Sequence, residues 1–303
     1  MSARLTALNL LLRTVGRPLL KRTKTPERAR RDFDLAARWI FLGPRTNASR
    51  RVIAGVPVLD VRPPSASGDA VLLYFHGGGY ITGNAASHLP MVGSIAGKAG
   101  LRAILPDYGL APERPFPAAF EDALATWNGL RNEGTDARRI VLGGDSAGGG
   151  LALALLAHLL AAGERPAGLF AFSPWTDLTL GGETLRTNAK TDLILPVERI
   201  EELRTMVAPQ ADLADPRLSP LFAGFEGAPP VYLQASRTEI LLDDTLRIER
   251  RLRNAGVDTQ VDLWPDAPHV WQLFRSWIPE ADEALDRTAE FVRRCLKVSI
   301  PQA

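Results

Sequence analysis

Beyond about residue 51, short apolar runs alternate with stretches in which apolar positions recur every three or four residues. A strand buried on both faces reads as a nearly continuous apolar run, and a helix packed on one side as a 3.6-residue repeat. The alternation predicts an α/β fold, a mostly parallel central sheet with crossover helices on both faces. Strands are expected at Val52 to Val61 and Val71 to Phe75, parted by a turn at Ser67-Gly68, then at Leu101 to Leu105, 139–144, Leu169 to Phe172, Val231 to Ala235 and Gln260 to Trp264. Helices are expected at Pro117 to Leu130, 149–162, about 244–254 and about 280–296. Strands 169–172 and 231–235 are about sixty residues apart, more than a βαβ crossover needs, so a further cap insertion is expected within 176–228. Ligands in open α/β sheets collect at the carboxyl ends of the strands, where such an insertion would form a roof.

The first 50 residues have a different texture. Leu5, Leu8, Leu12, Val15 and Leu19 recur at helical spacing, Arg13 and Arg17 interrupt the apolar run, and no small-x-small cleavage site follows. An amphipathic helix fits better than an export signal. The expected division is a helical cap segment over 1–50 and a catalytic domain over 51–303. Charge sharpens that division. The net +2 hides 13 Lys and Arg against 3 Asp and Glu in residues 1–51, a net +10, which leaves 23 against 31, a net −8, for the rest. A basic cap docked on an acidic body is the expected reading, with contact to an anionic membrane surface as the alternative. With 46% hydrophobic and 23% charged residues the composition is that of a globular enzyme, and no apolar run is long enough to cross a bilayer. The single cysteine, Cys295, has no internal disulfide partner and is expected to pack in a helix, which points to a reducing, cytoplasmic setting. Nothing in the composition calls for a nucleic-acid partner.

Candidate chemistry begins where strand 139–144 runs into Gly144-Asp145-Ser146-Ala147-Gly148 and then an apolar helix. A serine between small residues on a tight strand-to-helix turn is exposed at the strand end, the arrangement of a nucleophile elbow. A phosphate cradle is the competing reading. It is disfavoured because neither Walker spacing nor Gly-x-Gly-x-x-Gly can be drawn through 143–150. A second cluster, His76-Gly77-Gly78-Gly79, follows strand 71–75. Its bare amides at Gly78 and Gly79, with that of Ala147, are the expected oxyanion donors. Of four histidines only His269 follows Ser146 beyond the helix after it, which makes His269 the expected general base. His76 is expected to brace its loop, His158 to be a packed or surface residue, and His88 has no motif. For the acid that orients the base, Glu239 and Asp243 both stay open, with proximity to strand 231–235 favouring Glu239. Asp243 or Asp244 would also serve as N-cap of the following helix.

From about residue 70 to the C-terminus these blocks resemble the hormone-sensitive-lipase-like branch of the α/β-hydrolase superfamily, which includes bacterial esterases and acetyl-hydrolases. The matching blocks are His76-Gly-Gly-Gly79, Asp107-Tyr108 with Leu110-Ala-Pro-Glu113, Pro117-Ala-Ala-Phe-Glu-Asp122, Gly144-Asp-Ser-Ala-Gly-Gly149, Ser173-Pro-Trp-Thr-Asp177 and Ala267-Pro-His-Val270. The resemblance implies an α/β-hydrolase fold with a helical cap and places Glu239 at the position of the family's acid. It also implies hydrolysis of short- to medium-chain acyl esters through an acyl-enzyme, without metal or organic cofactor. Lactone hydrolysis and deacetylation of small molecules are variants of the same chemistry. Rival readings are a non-catalytic receptor on this fold and a membrane-surface lipase. A homodimer through the last strand and helix is a further expectation. One departure stands out, since Gly109 occupies a position where the family's block usually carries arginine.

Overall fold

The computed structural model describes residues 1–43 and 46–298; residues 44–45 and 299–303, which belong to the two expected segments, lie outside the described residues. Three helices, α1 (Ala3–Leu11), α2 (Arg17–Arg22) and α3 (Pro26–Ile40), precede a hairpin of β1 (Asn47–Ile53) and β2 (Val56–Arg62). An alternating series then runs β3 (Val71–Phe75), α4 (Ala85–Ala99), β4 (Arg102–Pro106), α5 (Ala118–Asn132), β5 (Ile140–Asp145), α6 (Ser146–Ala161) and β6 (Gly168–Phe172). Two short helices, α7 (Thr184–Thr187) and α8 (Ile200–Val207), lie between β6 and β7 (Val231–Ser236), and α9 (Leu242–Asn254), β8 (Thr259–Trp264) and α10 (Pro279–Val298) complete the chain.

The strands form one eight-stranded sheet in the order β1-β2-β4-β3-β5-β6-β7-β8, antiparallel at β1–β2 and β2–β4 and parallel from β4 to β8. Because β3 pairs with β4 on one side and β5 on the other, the chain reverses its direction of travel across the sheet between them. A crevice opens at such a switch point, at the carboxyl ends of the flanking strands. The glycine-rich segment after β3 and the serine after β5 are the two segments that emerge there.

Alternation along the strands splits the core in two. Val71, Leu73 and Phe75 face the layer of α5, α6 and α9, where Trp127, Leu153 and Ile248 are buried. Leu72 and Tyr74 face the layer of α4 and α10, where Val92, Ile95 and Val292 are buried. Successive side chains of a strand point to opposite faces, so near-continuous apolar strands are what a sheet covered on both sides requires. Cys295 is buried on α10, with its sulfur against Gly168 of β6.

Two sequence expectations need correction. Val52 to Val61 is not one strand: Ala54 and Gly55, with φ of 47° and 86°, turn the chain between β1 and β2. Positive φ at both central residues is the hairpin geometry that matches strand twist. The first strand was hidden because it is an edge strand with mostly exposed, polar side chains. In the N-terminal segment Leu5, Leu8 and Leu12 are buried as expected, yet Val15 and Leu19 are 55% and 48% exposed. The cause is a π-helical turn over Leu12–Gly16, which joins α1 to α2 and puts one extra residue into the turn. That extra residue rotates the later positions by roughly 100°, carrying them off the buried face.

Leu73 is fully buried and pairs in register with Ile104 of β4 and Leu142 of β5. Leu73→Ala is expected to cost roughly 2–5 kcal/mol, read as a lower urea midpoint at unchanged slope.

Candidate active site

Ser146 opens α6 with φ of 52°, a left-handed conformation that a non-glycine residue adopts only when its surroundings enforce it. The turn is closely packed. A β-carbon on Gly148 would lie 2.1 Å from the carbonyl oxygen of Phe75 and 2.3 Å from that of His76, so only glycine lets the first turn of α6 sit against the end of β3. Asp145 holds the N-cap position of α6 but does not cap it. Its carboxylate instead accepts from Tyr74 Oη at 2.7 Å and from the amide of Gly77 at 3.0 Å. The first amides of α6, that of Ala147 among them, therefore keep their donors free of any side-chain cap, at the positive end of a helix dipole.

Gly78 and Gly79 follow with φ of 117° and 63°. Among the described residues neither amide donates to an acceptor within the protein, while the Gly78 carbonyl accepts from Ile81 and Thr82. Backbone amides are rarely left without an acceptor, so free donors on a fixed loop are suited to an external anion. His76 braces this loop: its Nδ1 lies 2.8 Å from the Gly77 carbonyl oxygen and its ring stacks on Tyr108 at 4.3 Å. Burial, with the nearby charge of His88, pushes the His76 imidazole down to about 3, so it stays neutral and donates from Nδ1. His88 is buried with Nε2 3.4 Å from Asp145 Oδ1, and His158 is exposed and edge-on to Phe120.

His269 lies after β8. Its Nε2 is 2.9 Å from Ser146 Oγ and its Nδ1 is 2.5 Å from Glu239 Oε2. The other oxygen of Glu239 accepts from Ser173 Oγ at 3.0 Å and from the Ser236 amide at 2.7 Å. Burial alone would lower the affinity of His269 for a proton. The hydrogen bond and charge of Glu239, with the more distant charges of Asp192 and Asp145, outweigh it and raise the imidazole above its ordinary value. An imidazole whose protonated form is stabilised this way takes a proton from a hydroxyl more readily.

Asp243 is not at the imidazole; its Oδ2 accepts from the amide of Glu183 at 2.9 Å. Neither it nor Asp244 is the N-cap of α9, which begins at Leu242 after Leu241 and includes both aspartates in its first turn. Asp244 Oδ2 instead accepts from the amides of Thr176 and Asp177 at 2.7 and 2.9 Å, and burial, aided by the charge of Asp177, pushes its carboxyl up to about 7. Ser173 and Ser236 had no expected role. Ser173 stands first in one of the recognised blocks, which was the available signal, whereas Ser236 had none.

At Gly109 the missing side chain is accounted for. A β-carbon there would lie 2.9 Å from the guanidinium of Arg114, which binds Asp122 at 2.6 and 3.0 Å while the Gly109 amide donates to the same carboxylate at 2.8 Å. Asp122 is thus gripped by Arg114, five positions along the chain from Gly109.

A family model described as alpha/beta hydrolase fold matches residues 72–273. The chain belongs to the α/β-hydrolase family. A solved esterase of the bacterial hormone-sensitive lipase family is 38% identical to this α/β-hydrolase, covering 98% of this chain and 99% of its own, with a TM-score of 0.92. An esterase of Acinetobacter venetianus is 35% identical over 241 residues, 79% of either chain. An acetyl-hydrolase of Streptomyces hygroscopicus is 34% identical over 234 residues, 77% of this chain and 78% of its own. This α/β-hydrolase is of the hormone-sensitive-lipase-like branch and is a carboxylic ester hydrolase, which sets aside the receptor reading.

The geometry separates the two candidate acids. Glu239→Gln is expected to lower kcat by about 10³- to 10⁴-fold, and to shift the acid limb of any residual activity to lower pH, because His269 loses the neighbour that raises it. Asp243→Asn is expected to keep kcat near the parent value. Steady-state pH–rate profiles of both variants check this.

Proposed function

We propose that Ser146, His269 and Glu239 are the catalytic triad of this esterase and that the amides of Gly78, Gly79 and Ala147 form its oxyanion hole. The observation that carries the reading is the unbroken path from Ser146 Oγ through His269 to the buried carboxylate of Glu239. Ser146 Oγ attacks the ester carbonyl carbon as His269 Nε2 takes its proton, and the carbonyl oxygen becomes an oxyanion facing the three amides. Collapse of the tetrahedral intermediate breaks the bond to the alcohol, whose oxygen leaves with the proton from His269. A water molecule then attacks the acyl-serine, giving its proton to His269, and release of the acid restores Ser146. Each step moves one proton through one imidazole, and the residues present complete the cycle by themselves.

The roof belongs to the same proposal, with 1–50 and the insertion within 176–228 as caps over the acyl or alcohol pocket. Leu203 of α8 reaches to within 2.5 Å of where a Gly79 β-carbon would be, and the Phe116 amide donates to the carbonyl of Val207. Arg199 of the insertion donates to the carbonyl of Thr23, and Lys21 pairs with Glu198, so the two cap segments hold each other. A roof in van der Waals contact with the oxyanion loop favours short- to medium-chain acyl groups. Ser146→Ala is expected to abolish hydrolysis of p-nitrophenyl butyrate and labelling by a fluorophosphonate while leaving the melting temperature near that of the parent; retained hydrolysis overturns the nucleophile. A panel from acetyl to dodecanoyl esters, with lactones and N-acetyl compounds, is expected to peak at the shorter acyl esters.

A specific observation supports membrane contact as a second property. Leu11, Val15 and Leu19 lie exposed along one side of the continuous α1–α2 helix. Arg4, Arg22, Arg31 and Arg38 on the N-terminal helices, and Lys24 between α2 and α3, have no acidic partner among the described residues, whereas Arg30 pairs with Glu113. An exposed apolar stripe on a segment rich in unpaired cations fits an anionic lipid surface, and no described helix is long and apolar enough to cross it. The protein is expected to co-sediment with phosphatidylglycerol vesicles and not with phosphatidylcholine vesicles, and Leu11→Ser with Val15→Ser is expected to release it. Equal recovery of parent and variant in the supernatant overturns this reading.

A further inference from the structure

The loop that carries Glu239 is held mainly by a segment more than forty residues earlier in the chain. Asn188 Nδ2 donates to the carbonyls of Arg237 and Glu239, each at 2.9 Å. Thr191 Oγ1 donates to the carbonyl of Thr238 at 3.1 Å, and Thr184 Oγ1 to that of Ile240 at 2.8 Å. Four consecutive carbonyls, 237 to 240, are thereby satisfied by side chains of the insertion. The amide next to the acid, that of Ile240, donates to Asp192 Oδ2 at 2.8 Å. Thus the peptides on either side of Glu239 are gripped by the same distant strip.

Asp192 is the centre of that strip. It is fully buried, and its other oxygen accepts from the amides of Ile194 and Leu195 at 2.9 and 2.7 Å. Its own carbonyl accepts from Arg17 Nη1 at 3.1 Å, while Arg17 Nη2 reaches the carbonyl of Ala189 at 2.5 Å. One residue therefore touches the N-terminal helix, the insertion and the acid loop. Burial raises the Asp192 carboxyl, and the three amide donors, with the nearby charge of His269, work against that rise. The coupling is mutual, since the protonated form of His269 is stabilised by negative charge from Glu239 first and then from Asp192 and Asp145.

We infer that Asp192 is a positioning residue for the triad, fixing the backbone on which Glu239 sits and adding a second negative charge toward His269, with Arg17 anchoring it to the N-terminal helix. The inference rests on the proposed triad. It assigns the roof a second task, because the insertion and α2 then support the acid as well as cover the pocket.

The test is kinetic and uses the full chain. Asp192→Asn keeps the shape and one acceptor oxygen, removes the charge, and turns an NH₂ group toward amides that need an acceptor. For p-nitrophenyl acetate, too small to need the roof for binding, kcat is expected to fall about tenfold or more with KM within about twofold, the pattern of a lost orienting group. The acid limb of kcat/KM is expected to move to lower pH, since removing a negative neighbour lowers the pKa of His269 while Glu239 and Asp145 stay in place. Arg17→Gln, in a partly exposed side chain, is expected to lower kcat in the same direction by a smaller factor, and it carries the test if Asp192→Asn does not fold. Parental kcat and an unmoved pH limb in a folded Asp192→Asn, or parental kcat in Arg17→Gln where only that variant folds, overturn the inference. Retained activity in Ser146→Ala or Glu239→Gln would instead overturn the triad itself, so the two failures are distinguishable.

Discussion

The carboxylate of Asp145 joins the two halves of the site. It belongs to the residue before Ser146, yet it reaches across the sheet to the Gly77 amide and the Tyr74 hydroxyl at the end of β3. Two consequences follow from this one bond pair. The loop bearing Gly78 and Gly79 is fixed relative to the serine turn by a charge-assisted hydrogen bond in a buried setting, where such bonds are strong and their loss is costly. At the same time the natural cap of α6 is diverted, so the positive end of that helix is left open toward whatever sits above Ser146. Orientation of the oxyanion loop and polarity of the helix end are thus set together.

The sheet supplies the frame in which that bond is possible. β3 and β5 are neighbours at the point where the chain reverses its direction across the sheet, so their carboxyl ends diverge into loops on opposite sides of one crevice. β7 and β8 lie further along the same edge and deliver Glu239 and His269 from the far side. The apolar burial that holds these strands parallel is spread over two helical layers, and the polar work is confined to their ends.

Much of this was legible in the chain. A serine among small residues between an apolar strand and an apolar helix leaves a local signature, and with only four histidines the order along the chain singled out His269. Glu239 was legible by its distance from the end of β7, while its separation from Asp243 needed the fold, because both carboxylates lie within one turn and only one points at the imidazole. What could not be read were contacts between side chains and distant backbone. Thr184 opens the one-turn helix α7 and Asn188, Thr191 and Asp192 follow it in an irregular stretch with no period, and the bonds they make to 237–240 leave no trace in spacing. The edge strand β1 was invisible for a related reason: a strand with one free edge and solvent on its side chains has no apolar run to announce it.

The π-helical turn over Leu12–Gly16 gives the N-terminal helix two phases, one before it that serves the core and one after it that serves the outside. Composition does not decide which leucines face which way there; a single inserted residue does. Losing one codon in that turn would swing Leu19 and its neighbours back toward the body and bring Arg17 off the strip it holds, and gaining one would swing them the other way. What the outer helix meets can therefore change in one indel step without any change of residue type, while the sheet below it and the serine at its edge stay as they are.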